Sequence, residues 1–201
     1  MLASLGKTGY YQLRGKNILA HHGTIIRGIS RIEVRGRLVI GLSDVGFLNG
    51  WDRTYLNVRG KLMVTGQASL AKGCRLDIAG VCELGDVHIN GGCKLVVMDR
   101  LTVGDGTVVS WDCEFLDDDF HSVDNQDSRA PISVGEHVWI GNGCRILKGG
   151  TIGDGCVIGA GSLVTKSLPA RVLAAGNPVR IVRENVSWED RTRPSANPSL
   201  T

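Results

Sequence analysis

The stretch from Val134 to Pro169 reads VGEHVW, IGNGCR, ILKGGT, IGDGCV, IGAGSL, VTKSLP, and Val134, Ile140, Ile146, Ile152, Ile158 and Val164 recur every six residues without a slip. A period of six fits neither an amphipathic helix nor the alternation of one long strand. It fits short strands joined by tight corners. Cys144 and Ile146, Cys156 and Ile158, and Ser162 and Val164 stand two apart and share one side of a strand, while Arg145, Val157 and Leu163 between them point outward. The residues left over are GNG, GDG and GAG, where glycine supplies the positive φ that a sharp corner demands. Three such blocks close one triangular coil. Successive triangles then stack Val134 on Ile152, Ile140 on Ile158 and Ile146 on Val164 at the strand spacing of roughly 4.8 Å.

The period continues upstream with interruptions. Val103, Val109 and Phe115 make another coil; Val64, Leu70 and Leu76 keep step; Ile78 with Leu84, and Ile89 with Leu95, restart the frame. The expected organisation is a single all-β domain over 1–201: irregular early coils over 1–60 after a helical first dozen residues, a parallel β-helix over 61–169, and a C-terminal extension over 170–201 that ends in a disordered tail from Pro194 to Thr201. The polar segment HSVDNQDSRAP breaks the frame and reads as a loop, 121–133, pushed out of one corner.

Composition agrees with a narrow aliphatic interior. Of 201 residues 28 are Gly, aromatics are only 5 % and hydrophobic residues 42 %, which excludes both an aromatic-centred core and a disordered chain. No apolar run approaches the ~20 residues of a membrane helix, and the start MLASLGK lacks the apolar region of a signal peptide, so a cytoplasmic protein with no integral membrane segment is expected. A net charge of +3 gives no argument for nucleic acid. Cys74, Cys82, Cys93, Cys113, Cys144 and Cys156 each fall four places after an aliphatic frame residue, the small inward position beside a corner, and none has CxxC spacing. They read as compact filler. Association of flat outer faces in a symmetric homo-oligomer would bury outward groups such as Val157 and Leu163.

The blocks resemble the bacterial hexapeptide repeat. Val138 to Val182 is similar to the C-terminal half of the maltose and galactoside O-acetyltransferases, and Asp119-Phe120-His121 with its loop, together with RENVSW at Arg183 to Trp188, resembles the capsule and lipopolysaccharide O-acetyltransferases. The resemblance implies a left-handed parallel β-helix, a homotrimer, and acetyl-coenzyme A bound between neighbouring subunits. It also implies direct acetyl transfer to an acceptor hydroxyl, and a saccharide of a surface polysaccharide or its precursor as acceptor.

His121 is the candidate general base: an alcohol attacking a thioester must lose a proton, imidazole titrates near neutrality, and the residue sits where the repeat breaks. Its acidic surroundings, Asp112, Glu114, Asp117, Asp118, Asp119, Asp124 and Asp127, would raise its pKa and hold one tautomer, and Asp119 matches the family's acidic position. By the same resemblance Trp139 lines the cleft, with Trp111 and Trp188 as further borders. The amide of Asn142, in the turn Gly141-Asn142-Gly143, faces the developing oxyanion. The resemblance further implies that Gly159-Ala160-Gly161 exposes backbone to pantetheine, that Thr165-Lys166 is the phosphate-binding pair, that Pro178 would pack on adenine, and that Arg180 and Arg183 lie near the 3′-phosphate. From residue 140 onward eight Lys/Arg face four acids, in keeping with a cofactor end. His137 reads as a solvated corner residue. Other readings are N-acetylation of a nucleotide-linked amino sugar, a non-catalytic β-helix scaffold, and a metal-dependent hydratase using His88, His121 and His137. The last lacks the H-x4-H pair of the γ-class carbonic anhydrases, and no metal is expected.

Overall fold

The computed structural model describes residues 3–42 and 51–190. Strands of two to five residues stack in three sheets of nine, seven and seven. Apart from the last two strands, consecutive strands do not pair; each pairs with the strand three places on in sequence, so the chain winds as a left-handed parallel β-helix with a triangular section. Face one starts with Ile18–Ala20, face two with Thr24–Arg27 and face three with Ile32–Val34. The first edge joins face one to face two, the second joins two to three, and the third returns to face one.

The frame read from sequence is the frame of the interior. Val103 pairs with Val134 and Val134 with Ile152 on face three. Val109, Ile140 and Ile158 stack on face one, and Phe115, Ile146 and Val164 on face two. All nine are buried, and among the described Phe, Tyr and Trp residues only Phe115 and Tyr11 join them. A section three short strands wide leaves room for branched aliphatics and little else, which accounts for the scarcity of aromatics.

The early segment departs from the expectation of irregular coils. Ile18–Ala20, Thr24–Arg27, Ile32–Val34 and Arg37–Ile40 already occupy the three faces in parallel register, with Ile18 against Leu38 and Ile32 against Leu62. The physical reason lies in coil length. In the lower turns Lys61 pairs with Val81 and Val81 with Arg100, whereas in the upper turns Ser133 pairs with Thr151 and Arg145 with Leu163, so the lower turns are the longer ones. Longer strands and edges let the chain stay in spatial register while slipping out of a strict six-residue period. At the other end the stack reaches past 169: Leu173–Ala175 pairs in parallel with Val157–Ile158, and Arg180–Arg183 folds back antiparallel upon it. The expected tail from Pro194 lies outside the described residues.

The helix Leu5–Leu13 closes the lower end, as the helical reading of the first dozen residues anticipates. The Ser4 backbone N–H donates to the Ala20 carbonyl at 2.8 Å, Thr8 Oγ1 accepts from the Ala20 N–H at 3.3 Å, and Tyr11 is buried over the first coil. A stack of coils ends in unpaired strand edges, and covering them prevents end-to-end growth.

The cysteines are free, buried and inward-pointing. Register places Thr24, Thr54, Cys74, Cys93, Cys113, Cys144 and Ser162 in one column beside the first edge. Several of its thiols reach the edge carbonyl of the next coil: Cys74 to Asn90 at 3.1 Å, Cys93 to Ser110 at 3.1 Å, Cys113 to Gly141 at 3.2 Å and Cys144 to Gly159 at 3.1 Å. Although its bond with Cys144 works the other way, the hydrogen bond with Cys93 and burial push the Cys113 thiol up to about 12. Burial likewise raises Cys82. These thiols are filler with a donor, and unreactive.

Ile140→Ala is expected to cost roughly 2–5 kcal/mol, because rigid coils above and below prevent the void from collapsing. Denaturant unfolding measures it; a loss below about 1 kcal/mol would mean that the column does not carry the stack.

Candidate active site

The coil is interrupted between Glu114–Leu116 on face two and Ile132–Val134 on face three, so the loop leaves from the second edge. Its base is sealed by an isolated antiparallel bridge between Asp118 and Arg129. Asp117 points inward by simple alternation from Phe115, and its carboxylate takes the backbone N–H groups of Met98 at 2.7 Å and Asp99 at 2.9 Å. It stands in for the carbonyls that an uninterrupted coil would have offered that edge. Burial holds the Asp117 carboxyl above the usual carboxylate range despite those bonds.

Asp118 organises the next two residues. Its Oδ1 accepts the Phe120 N–H at 2.8 Å and its Oδ2 the Arg129 Nε at 2.8 Å. Burial opposes ionisation of Asp118, but Phe120 N–H, Arg129 and Ser128 outweigh it and its pKa is lowered. Phe120 is held at φ 59°, a left-handed conformation unusual for a bulky residue, and this turn projects His121 outward. Lys148, one coil above, pins both arms of the loop: its Nζ lies 2.8 Å from Asp119 Oδ2 and 2.9 Å from the Asp127 carbonyl.

The expected orienting carboxylate is therefore engaged elsewhere. Asp119 pairs with Lys148, and His121 Nδ1 lies 3.2 Å from the backbone carbonyl of Asp119. A carbonyl oxygen only accepts, so in the neutral ring this contact places the proton on Nδ1 and the lone pair on Nε2.

Asn142 stands on the first edge, directly above Trp111, whose carbonyl accepts the Gly143 N–H at 2.9 Å, and below the corner of Ala160, where Gly161 N–H donates to the Asn142 carbonyl at 2.9 Å. Trp111 is half-buried, and Asn142 and Ala160 are exposed. Trp139 lies on face one between Val108 and Val157, 43 % exposed, with its Nε1 3.4 Å from Ser110 Oγ. Two corner glycines have packing reasons of their own. A Cβ on Gly141 would sit 2.7 Å from the Ala160 nitrogen, and one on Gly159 would sit 2.9 Å from the Ala175 Cβ. Close approach of the next coil requires both, independently of any ligand.

Thr165 and Lys166 are exposed on the second edge, the edge that bears His121, two coils above it. Pro178 sits in the turn between Leu173–Ala175 and Arg180–Arg183, and Arg180 and Arg183 are exposed on the folded-back strand. One chain thus gathers His121, Lys148, Thr165 and Lys166 on the second edge, and Trp111, Asn142 and Ala160 on the first. It does not bring the two sets together.

His137 is exposed at a corner, as read from the sequence, and it also has a partner there. Its ring stacks on Trp188 with centroids 4.3 Å apart and 10° between planes. His137 Nε2 lies 3.0 Å from the Trp188 carbonyl, and Trp188 Nε1 donates to the His137 carbonyl at 2.8 Å. Trp188 also stands 6.1 Å from Trp139, so this clamp straps the C-terminal segment beside the candidate cleft wall. The partners are 51 residues apart and no local pattern links them. Lys148 and the base formed by Asp118 and Arg129 were missed as well. The only signal for them is a run of three aspartates at the break in period. His88 is on face one, bonded to Asn90 Oδ1 at 3.3 Å, so the three histidines of the hydratase reading occupy a face, a loop and the third edge of one chain.

Residues 131–166 match the family model for the bacterial transferase hexapeptide of six repeats. An uncharacterized 24.8 kDa protein in the cps region of Klebsiella pneumoniae is 37 % identical over 182 residues, covering 87 % of this chain and 82 % of that one. Galactoside O-acetyltransferase of Escherichia coli K12 is 57 % identical over 54 residues, 27 % of each chain, so this chain spans little more than a quarter of that enzyme. Among solved structures, the polySia-specific acetyltransferase NeuO superposes with TM-score 0.56 at 23 % identity, covering 82 % of this chain and 81 % of that one. A hexapeptide-repeat acetyltransferase of Vibrio cholerae, solved with acetyl coenzyme A, gives 0.57 at 24 % identity over 65 % and 73 %. Both likenesses are of fold.

A winding of six-residue blocks with one loop at an edge, an exposed imidazole on it and exposed cations above it has the architecture of a hexapeptide-repeat acyltransferase. The chain belongs to the bacterial hexapeptide transferase family.

Asp118→Asn is expected to unfasten the loop at neutral pH, read as faster tryptic cleavage after Arg129 with the coils still folded. Because the folded pKa of Asp118 is lowered, its contribution is complete above the unfolded value of about 3.9 and fades as pH falls through the folded one. Hydrogen exchange of 119–131 in wild-type protein should therefore stay slow down to about pH 4. Cleavage unchanged by the substitution would mean that Lys148 alone holds the loop.

Proposed function

We propose that the protein is an acetyl-coenzyme A-dependent O-acetyltransferase acting on a saccharide hydroxyl of a surface polysaccharide or its precursor, in the cytoplasm, as a homotrimer. The observation that carries the proposal is the contact between His121 Nδ1 and the Asp119 carbonyl at 3.2 Å. An exposed imidazole whose Nδ1 is committed to the Asp119 carbonyl presents a basic Nε2 at the tip of a fastened loop. A scaffold has no use for such a group.

Lys166 on the same edge, with Arg180 and Arg183 at the top of the stack, supplies exposed cations for the phosphates of the donor. Thr165 accompanies Lys166, and Pro178 offers an apolar surface for the adenine. Lys166 enters no ion pair among the described residues, in keeping with an anion from outside. The corner at Gly159, Ala160 and Gly161 borders the path for pantetheine: Gly161 has open space where a side chain would stand.

In the reaction the acceptor oxygen bonds to the thioester carbonyl carbon and its proton passes to His121 Nε2. The carbon–sulfur bond then breaks, and the proton returns to the departing sulfur. Asn142 contributes its amide to the oxyanion and Trp139 and Trp111 border the acceptor. Because one chain keeps His121 and Asn142 on different edges, the trimer supplies the missing half: in a three-fold ring unlike surfaces of neighbouring copies meet, and each seam joins a second edge to a neighbour's first edge. Val157, Leu163 and Trp139 on the outer faces gain cover in the same step.

His121→Ala is expected to abolish acetyl transfer, measured as thiol release with a panel of sugars, while trimers and coenzyme A binding persist. Full activity in that variant removes His121 from the base role. Lys166→Ala should weaken coenzyme A binding about tenfold at low salt, as expected for loss of one charge-assisted contact. Unchanged affinity rejects the phosphate assignment.

A further inference from the structure

The first edge continues below Trp111 and Asn142 as an open groove of ≈ 430 Å³, lined by Trp51, Asp52, Arg53, Tyr55, Arg75 and Asp112 over a floor of Gly73 and Gly92. Beyond Trp51, Asp52 and Arg53 it leads into a second hollow of ≈ 250 Å³ that reaches Lys7. The groove starts at the proposed reaction centre. Asp112 follows Trp111 directly, and its backbone N–H donates to the Gly91 carbonyl of the coil below at 3.1 Å. We infer that this groove binds the acceptor, and that the acceptor is a saccharide chain of several residues rather than a nucleotide-linked monosaccharide. The inference rests on the acyltransferase reading above and names its substrate.

Three features support it. The first is shape. Asp112, Gly92, Gly73 and Arg53 stand on successive coils, so the groove extends about 14 Å at one strand spacing per coil, longer than a single sugar ring. Its floor carries no side chains: Gly73 and Gly92 have φ of +81° and +78°, and a Cβ on Gly92 would lie 2.1 Å from Asp112 Oδ1. The second is the pair of aromatic surfaces. The Trp51 indole is 87 % exposed and the Tyr55 ring 40 % exposed, large apolar groups of the kind that mark a binding surface. The apolar C–H face of a pyranose matches such rings. The third is the polar set. Arg53 and Arg75 only donate, Asp52 and Asp112 only accept, and neither guanidinium enters an ion pair among the described residues. Sugar hydroxyls both donate and accept and use the four groups together. With two carboxylates against two guanidiniums the groove has no net positive charge to draw a diphosphate, and its length over four coils favours the polymer over the nucleotide-linked precursor.

Direction follows from the same axis. The exposed cations assigned to the donor lie in the upper coils and the reaction centre in the middle, so the acceptor enters along the lower coils.

The test is binding without any acetyl donor. Wild-type protein and the variants Trp51→Ala/Tyr55→Ala and Arg53→Gln/Arg75→Gln are applied to an array of bacterial capsular polysaccharides, that of Klebsiella pneumoniae among them. Their component monosaccharides and nucleotide-linked sugars are printed beside them, and thermal melts check folding. Retention of at least one polysaccharide by the wild type, weakened about tenfold or more in each folded double variant, is the expected result. Capture of monosaccharides or nucleotide sugars alone, capture of no glycan, or polymer binding that survives both variants overturns the groove assignment. Thiol release from acetyl-coenzyme A with small sugars is measured separately. A protein that holds polymer yet never transfers acetyl defeats the acyltransferase reading and leaves the groove; one that transfers to small sugars and holds no polymer defeats the groove alone.

Discussion

Everything in this protein is built around the spacing of one strand per coil. Each turn of the winding must hydrogen-bond its backbone to the turn above and below, so the three edges repeat at the same height and inward side chains stack in columns. Branched aliphatics fill the columns along the faces, while the position beside the first edge takes a small residue able to donate or accept. Thr24 donates to the Ile40 carbonyl at 3.3 Å, Cys93 to Ser110 at 3.1 Å and Ser162 to Gly159 at 2.5 Å, so hydroxyl and thiol do the same work in one column. A larger residue there would force the edges apart, and an aliphatic one would leave an edge carbonyl without that donor.

Such a structure has few places for chemistry. Its inside is full, its faces are flat, and its corners are fixed by the coils above and below. Functional groups can stand only on edges or where a coil is interrupted. The interruption after Leu116 has a cost, since the edge at Met98 and Asp99 loses the coil that should cover it. Asp117 offsets this with its carboxylate, and Asp118 and Lys148 tie the extruded segment back. The loop is thereby a fixed support, with a bulky residue held at φ 59° next to the imidazole. Rigid placement of the imidazole is what the proposed direct transfer requires, because acceptor and donor must meet in one geometry.

Sequence periodicity revealed the upper coils because each is three whole blocks long, and the extruded loop because it breaks that count. It faded over the first coils, before Lys61, where the longer steps from Ile18 to Leu38 and from Ile32 to Leu62 preserve spatial stacking without preserving period. The site was legible to a similar depth. His121 stood out by its place at the break and by family resemblance, but its orientation did not, since the partner of Nδ1 is a main-chain carbonyl and every residue has one. Gly141 and Gly159 looked like openings for a ligand, and the next coil explains both. The clamp between His137 and Trp188 joins a corner to a segment outside the repeat, and nothing in either neighbourhood anticipates the other.

On the proposed reading, the same geometry lets acetyl transfer and acceptor choice vary separately. The proposed oxyanion amide and donor cations sit in the coils that keep a strict period, and the proposed base on the one loop that leaves them, tied back by Asp118 and Lys148 so that the edges stay aligned. The groove of Trp51, Tyr55, Arg53 and Arg75 sits in coils that already tolerate longer turns. Substitutions there change an outward side chain on a finished backbone and leave the stacking columns intact. A winding of this kind therefore divides its labour along its axis, with the chemistry held in the regular half and recognition in the permissive half.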